Sequence, residues 1–173
     1  VARTFQNIRL FHDMTVIENV KAACGRDTRY NLLDAVFRTP RFWSAERAVT
    51  EKAMELLAIC GLEDSADVLA SSLPYGRQRK LEIARALATD MKVLLLDEPA
   101  AGMNPTETAE LLSCINAIRN RFGVAILLIE HDMSLVMNIC QRIQVIDYGQ
   151  TIAAGLPEEI ARDPKVIAAY LGE

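Results

Sequence analysis

Paired cysteines, membrane-length apolar runs, a basic charge excess, internal repeats and low-complexity linkers are all missing from this 173-residue chain. Each absence removes a class of function. Cys24, Cys60, Cys114 and Cys140 form no C-x-x-C pair, which leaves zinc sites and disulfide frameworks without their usual spacing. Cys60, Cys114 and Cys140 fall in helical patterns, where a thiol packs as a small apolar group, so all four read as reduced core thiols. No apolar run approaches the roughly 20 residues that a helix needs to cross a bilayer, and no signal peptide opens the chain. The expectation is a soluble cytoplasmic chain that reaches a membrane only through a partner. A formal net charge of -4 opposes general nucleic-acid affinity. The phosphate loop G-x-x-x-x-G-K-[ST] is absent too, so these residues supply no cradle for β- and γ-phosphates.

What is present fits one domain with a sizeable core, at 51% hydrophobic and 24% charged residues. The richest stretch is Lys92-Val93-Leu94-Leu95-Leu96-Asp97-Glu98. A run apolar at every position has no face for water and reads as a central, fully buried parallel strand. Ligands in open α/β sheets sit outside the carboxyl ends of such strands, where Asp97 and Glu98 emerge. A second all-apolar strand, 124–129, reads as buried and ends at Glu130-His131-Asp132. Adjacent parallel strands lie about 4.8 Å apart, so side chains at both ends can converge on one ligand.

The remaining chain alternates helix and sheet after residue 73 and is mainly helical before it. Thr15 caps a first helix, and Ser44 is expected to cap a second that stops at Gly61, with a short helical piece near 64–70. Between them, residues 25–43 carry Arg26, Arg29, Arg38 and Arg41 among Tyr30, Phe37, Phe42 and Trp43. They read as an irregular helical insertion whose aromatics pack down and whose arginines face water. Leu73-Pro74-Tyr75-Gly76 opens a helix, offering backbone N–H groups and the positive dipole end to an anion. Arg77, Arg79 and Lys80 add full charges there. Asn104-Pro105-Thr106-Glu107 predicts a capping box, with Gly123 ending its helix. Residues 144–153 predict a hairpin through Tyr148-Gly149, and Pro157 and Pro164 open two terminal helices.

Taken together, Gln6, Leu73-Pro74-Tyr75-Gly76-Arg77, Val93-Leu94-Leu95-Leu96-Asp97-Glu98, Ala101-Gly102-Met103-Asn104 and His131 resemble the motifs of an ABC transporter's nucleotide-binding subunit. They match its Q-loop, signature, Walker B, D-loop and H-loop in order, across essentially the whole chain. Ala2-Arg3-Thr4-Phe5-Gln6, the 25–43 segment, Glu98-Pro99-Ala100-Ala101-Gly102-Met103-Asn104-Pro105 and Ala169-Tyr170-Leu171-Gly172-Glu173 are similar to one branch. That branch comprises the ATP-binding subunits of branched-chain amino acid importers, in particular the partner with the longer helical insertion.

The resemblance implies an α/β, P-loop NTPase-like core with a largely parallel sheet and an inserted helical subdomain. Residues 1–7 would end a core strand and form the Q-loop, residues 8–72 the helical subdomain, and residues 73–173 the signature helix and the rest of the core. The cofactors implied are ATP and Mg²⁺. Asp97 would hold the Mg²⁺ shell, joined by Gln6, which would also sense the γ-phosphate. Glu98 would polarise the attacking water, and His131 would stabilise the γ-phosphate. Leu73, Pro74, Tyr75, Gly76, Arg77 and Asn104 would close on ATP held by a second ATP-binding subunit in a head-to-tail dimer. Membrane permease subunits, and indirectly an amino-acid-binding protein outside the membrane, complete the implied partners, with no nucleic acid. The implied location is peripheral, on the cytoplasmic face of the plasma membrane.

Pro74 stands where relatives carry serine and has no N–H, Tyr75 replaces a glycine, and Arg77 replaces glutamine. Asn104 stands where many relatives have aspartate. The chain opens at Val1 within a strand-like stretch, so the expectation is that its first strands and its Walker A loop lie upstream. An unpaired sheet edge follows from that. These residues alone are then expected neither to bind nor to hydrolyse ATP appreciably. Tight, magnesium-dependent binding of a fluorescent ATP analogue by this chain alone would contradict that. Two other readings are a DNA-associated ABC-type ATPase and a non-catalytic regulatory module. The first lacks its long heptad coiled coils here, and the second requires that the native protein have no phosphate loop.

Overall fold

Strand β2 (Val93–Asp97) takes the middle place in a three-stranded parallel sheet, between β1 (Ala2–Arg3) and β3 (Ala125–Ile129). Leu94 pairs with Ala2 on one side and with Ile126 on the other, and Asp97 pairs with Ile129. Parallel neighbours require a crossover. Helix α5 (Pro105–Phe122) provides it between β2 and β3. The computed structural model describes residues 1–4, 8–24 and 31–171. They divide into two units, Val1–Ile129 and Glu130–Glu173.

The sheet corrects two expectations about burial. In β2, Leu94 and Leu96 are fully covered, whereas Val93, Leu95 and Asp97 are half-buried. In β3 the departure is larger: Leu127 is 57% and Ile129 53% exposed. An apolar run reports the character of a strand, not which of its faces is covered. Among the described residues β3 is one edge strand of the sheet, and the face carrying Ala125, Leu127 and Ile129 meets water.

Helix α4 (Tyr75–Leu87) is the packing centre of the first unit. Helices α1 (Val16–Cys24), α3 (Pro40–Ile59) and α5 pack on it, as does β1. Leu81, Ile83 and Ala84 are fully buried, and burying a side chain of leucine size stabilises by about 1.5–3 kcal/mol. Because neighbours surround α4, its polar residues Arg79, Lys80 and Glu82 are buried as well. Of the three cations at its start, only Arg77 keeps part of its surface in water.

Local chemistry sets the helix ends. The Thr15 hydroxyl accepts from Glu18 N–H at 3.3 Å, while Glu18 accepts from Thr15 N–H at 2.8 Å, a reciprocal box that starts α1. Short α2 (Leu32–Val36) opens on the same device, between Asn31 and Asp34. Helix α3 begins earlier than expected, at Pro40, and its cap is Thr39 rather than Ser44. The Thr39 hydroxyl accepts from Phe42 N–H at 3.4 Å and donates to Asp34 at 2.9 Å. Proline suits the first helical turn, which decides the register. Thr39→Ala is expected to cost about 1 kcal/mol, as loss of a side-chain cap does. Ser44→Ala should stay within about 0.5 kcal/mol, as for a surface change. Urea unfolding of the two variants separates the alternatives.

Two of the insertion's aromatics, Phe37 and Trp43, do not pack down, while Phe42 is half-buried. Phe37 is 74% and Trp43 56% exposed, with no described element over them. Phe42 meets Trp43 edge-on, ring centroids 5.4 Å apart. Residues 25–30, with Arg26, Arg29 and Tyr30, lie outside the described residues.

In the second unit, β4 (Ile143–Asp147) and β5 (Gln150–Gly155) form the expected antiparallel hairpin. Tyr148 and Gly149 both adopt positive φ, 42° and 78°, the backbone that tight hairpin turns require. Helices α6 (Met133–Ile139), α7 (Pro157–Ile160) and α8 (Pro164–Leu171) complete this unit. Val136, Ile143, Val145, Ile160 and Val166 form its core.

Candidate functional site

Asp97 is the last residue of β2, and its carboxylate accepts from the Arg3 guanidinium at 2.7 Å. Arg3 stands at the adjacent edge of β1, paired with Leu95. Sequence reasoning missed this partner, because the two residues are joined only through sheet pairing. Glu98 follows immediately, with φ of 42°. Left-handed backbone at a non-glycine residue costs of order 1–3 kcal/mol and persists where surroundings hold it. Here Glu98 N–H donates to Ile129 O at 2.9 Å, and Glu98 O accepts from Ala101 N–H at 3.2 Å. The end of β3 therefore clamps the turn that carries Glu98.

No cluster of three or more His, Cys, Asp or Glu side chains occurs among the described residues to cage a metal ion. The Asp97 carboxylate at the end of β2 is a hard oxygen ligand that is held by Arg3 and would have to exchange it for a metal ion. Such a ligand suits Mg²⁺, which is commonly held by one or two carboxylates while phosphates and waters complete its shell.

Gly102 lies four residues beyond Glu98, with φ of 77°, and a Cβ there would come within 4.0 Å of the Tyr75 ring. Gly76 is tighter, since a Cβ would stand 3.0 Å from the Glu107 carboxylate. Glu107 in turn accepts from Asn104 N–H at 3.0 Å, and Asn104 accepts from Glu107 N–H at 3.0 Å. The predicted capping box is therefore present, and it is also the surface against which Gly76 packs. Tyr75 and Gly76 thus sit beside the segment running from Gly102 to Glu107, whereas Arg77 turns to Gly61.

Two of the three cations at the start of α4, Arg79 and Lys80, are buried and paired with carboxylates rather than offered to an anion, which corrects the charge expected of them. Arg77 donates to Gly61 O at 3.1 Å. Arg79, fully buried, pairs with Glu82 at 2.7 Å and reaches the Tyr75 hydroxyl at 3.5 Å. Lys80 pairs with Glu110 of α5 at 2.7 Å. The hydrogen bond and charge of Lys80 hold the Glu110 carboxyl below its ordinary range. A carboxyl whose folded value lies below its unfolded one stabilises the fold above the unfolded value. That contribution is lost as pH falls through the folded value. In Lys80→Met, the Glu110 titration followed by carboxyl NMR is expected to move back up.

His131 follows Glu130 at the start of the second unit, just before Asp132, whose carboxylate caps α6 by accepting from Ser134 and Leu135 N–H at 2.9 and 3.2 Å. The histidine lines a cavity of about 450 Å³ with Met133, Met137, Ile160 and Tyr170. Gln6, expected at the metal and the γ-phosphate, lies outside the described residues.

The family described as "ABC transporter" matches residues 1–101. The chain belongs to the ABC transporter family. A second description, "Branched-chain amino acid ATP-binding cassette transporter", matches residues 150–173. The ABC chain is 49% identical, over all 173 of its residues and 68% of the relative, to the high-affinity branched-chain amino acid transport ATP-binding protein LivG of Salmonella typhimurium. BraF of Pseudomonas aeruginosa, which carries the same description, is also 49% identical, again over 68% of its length. Among solved structures, the ADP conformation of MJ1267, an ATP-binding cassette of an ABC transporter, superposes with a TM-score of 0.76 at 32% identity. That match covers 99% of this chain and 68% of that one. The α/β cassette fold is thereby that of an ABC transport ATPase, and these matches favour transport over the DNA-associated reading.

Proposed function

We propose that the complete protein hydrolyses ATP to power import of branched-chain amino acids, peripherally bound at the cytoplasmic face of the plasma membrane. The likeness to LivG along every residue of the chain carries this reading. Asp97, at the end of β2, would hold Mg²⁺ with Gln6. Glu98, fixed by the clamp to Ile129 O, polarises the attacking water as general base. His131 stabilises charge on the γ-phosphate, and Gln6 senses that phosphate. Bound ATP and Mg²⁺ supply the phosphoryl group and its charge neutralisation.

Leu73, Pro74, Tyr75, Gly76, Arg77 and Asn104 close on nucleotide held by a second ATP-binding subunit. Their mutual contact through Gly76 and Glu107 lets the two segments move as one surface. Arg77 must exchange the Gly61 carbonyl for a phosphate oxygen to take part. Residues 8–72 serve as the helical subdomain that docks on membrane permease subunits, which receive amino acid from a binding protein across the membrane. In proteoliposomes containing the assembled transporter, binding protein loaded with leucine, isoleucine or valine should stimulate ATP hydrolysis. Stimulation confined to a chemically unrelated solute would overturn the substrate assignment.

A further inference from the structure

Where α3 ends against α5, a cavity of about 590 Å³ opens beside Cys60, Gly61, Arg77, Lys80, Glu110 and Cys114. Gly61 and Glu110 at its rim are exposed, whereas Cys60 and Cys114 are only 2% and 4% exposed and stand at its floor. The two thiols come from different elements. Cys60 is the C-cap of α3, its N–H donating to Leu57 O at 3.0 Å, and Cys114 lies on the buried face of α5. Both nevertheless line this one cavity, so two elements bring them to a single place. Nothing in the nucleotide chemistry uses either one.

We infer that Cys60 and Cys114 form a peroxide-responsive thiol pair, closing to a disulfide that ties α3 to α5 beside the signature helix. The electrostatics divide the labour. The neighbouring Cys60 thiol, aided by the Lys80 ammonium, draws the Cys114 thiol below its ordinary value against the effect of burial. The neighbouring Cys114 thiol, followed by burial, pushes Cys60 well up. A thiol lowered in an electropositive pocket, next to a second thiol, is the arrangement of a redox-sensing cysteine with its resolving partner.

The oxidant is a hydroperoxide small enough to enter the cavity. Cys114 thiolate attacks its terminal oxygen; an S–O bond forms, the O–O bond breaks, and the departing oxygen leaves protonated, as water when the oxidant is hydrogen peroxide. Cys60 then attacks the Cys114 sulfur. An S–S bond forms, the S–O bond breaks, and the hydroxyl leaves as water with the Cys60 proton. Two thiols are oxidised by two electrons, and one peroxide is reduced.

The test is peroxide treatment of the complete protein, followed by denaturation, iodoacetamide alkylation and peptide mass spectrometry. The expected product has lost two hydrogens, contains a linked Cys60–Cys114 peptide, and returns to the dithiol with dithiothreitol. Dimedone should trap a sulfenic acid at Cys114 in Cys60→Ser, while Cys60 in Cys114→Ser should remain a thiol. The wild-type measurement does not depend on either variant folding. Full alkylation of both thiols after peroxide would overturn the proposal. So would crosslinking through Cys24 or Cys140 instead, or trapping at Cys60 in preference to Cys114.

Discussion

Glu98→Gln in the complete subunit is expected to lower ATP turnover by about 10²–10⁴-fold, the range associated with loss of a positioned general base. That corresponds to about 3–5 kcal/mol of lost transition-state stabilisation. The substitution keeps the size of the side chain and leaves the backbone clamp intact, because the clamp uses Glu98 N–H and O rather than the carboxylate. The strained φ of 42° is therefore retained. ATP binding should survive while hydrolysis stops, so the variant should accumulate ATP-bound dimer. Single-turnover phosphate release and nucleotide occlusion read the two effects separately. Undiminished turnover would remove Glu98 from the role of base.

Arg79→Met is expected to give the largest loss of stability. Arg79 is fully buried, and its partner Glu82 is 7% exposed, with 2.7 Å between them. Removing one member of a buried pair leaves the other charge uncompensated and costs about 3–5 kcal/mol. The Tyr75 contact at 3.5 Å goes as well. Replacing both partners, Arg79→Met with Glu82→Met, should recover most of the loss, because two apolar side chains fill the site without a stranded charge. The urea midpoints of wild type, single and double variants measure this. A single variant within about 0.5 kcal/mol of wild type, the size of an ordinary surface change, would show that the pair is not structural.

The legible parts of the fold are those written in neighbouring residues. Thr15 with Glu18, and Asn104 with Glu107, announce their helix starts because each pair lies three residues apart. Gly149 announces a hairpin because the turn's positive φ favours glycine, whereas the positive φ of Tyr148 goes against its residue type. Asp97 and Glu98 were legible as a strand end, since five apolar-to-acidic residues encode both the strand and its terminus. The hidden parts are contacts between distant segments. Arg3 meets Asp97 across 94 positions, and Lys80 meets Glu110 across 30. No periodicity links such residues. The same limit hid the burial of Arg79 and the exposure of Leu127, since both depend on which elements pack around α4 and β3. Thr39 was hidden for a different reason. Its short-range cap was legible, but Ser44 offered the same hydroxyl, and only Pro40 distinguished the two starts.

The most direct measurement is radiolabelled leucine uptake into proteoliposomes that contain the complete protein, its permeases and the binding protein. Uptake should require ATP inside or outside according to the face that presents this subunit, and Glu98→Gln should abolish it while nucleotide remains bound. Leucine uptake that persists in Glu98→Gln, or that proceeds without ATP, would contradict the account.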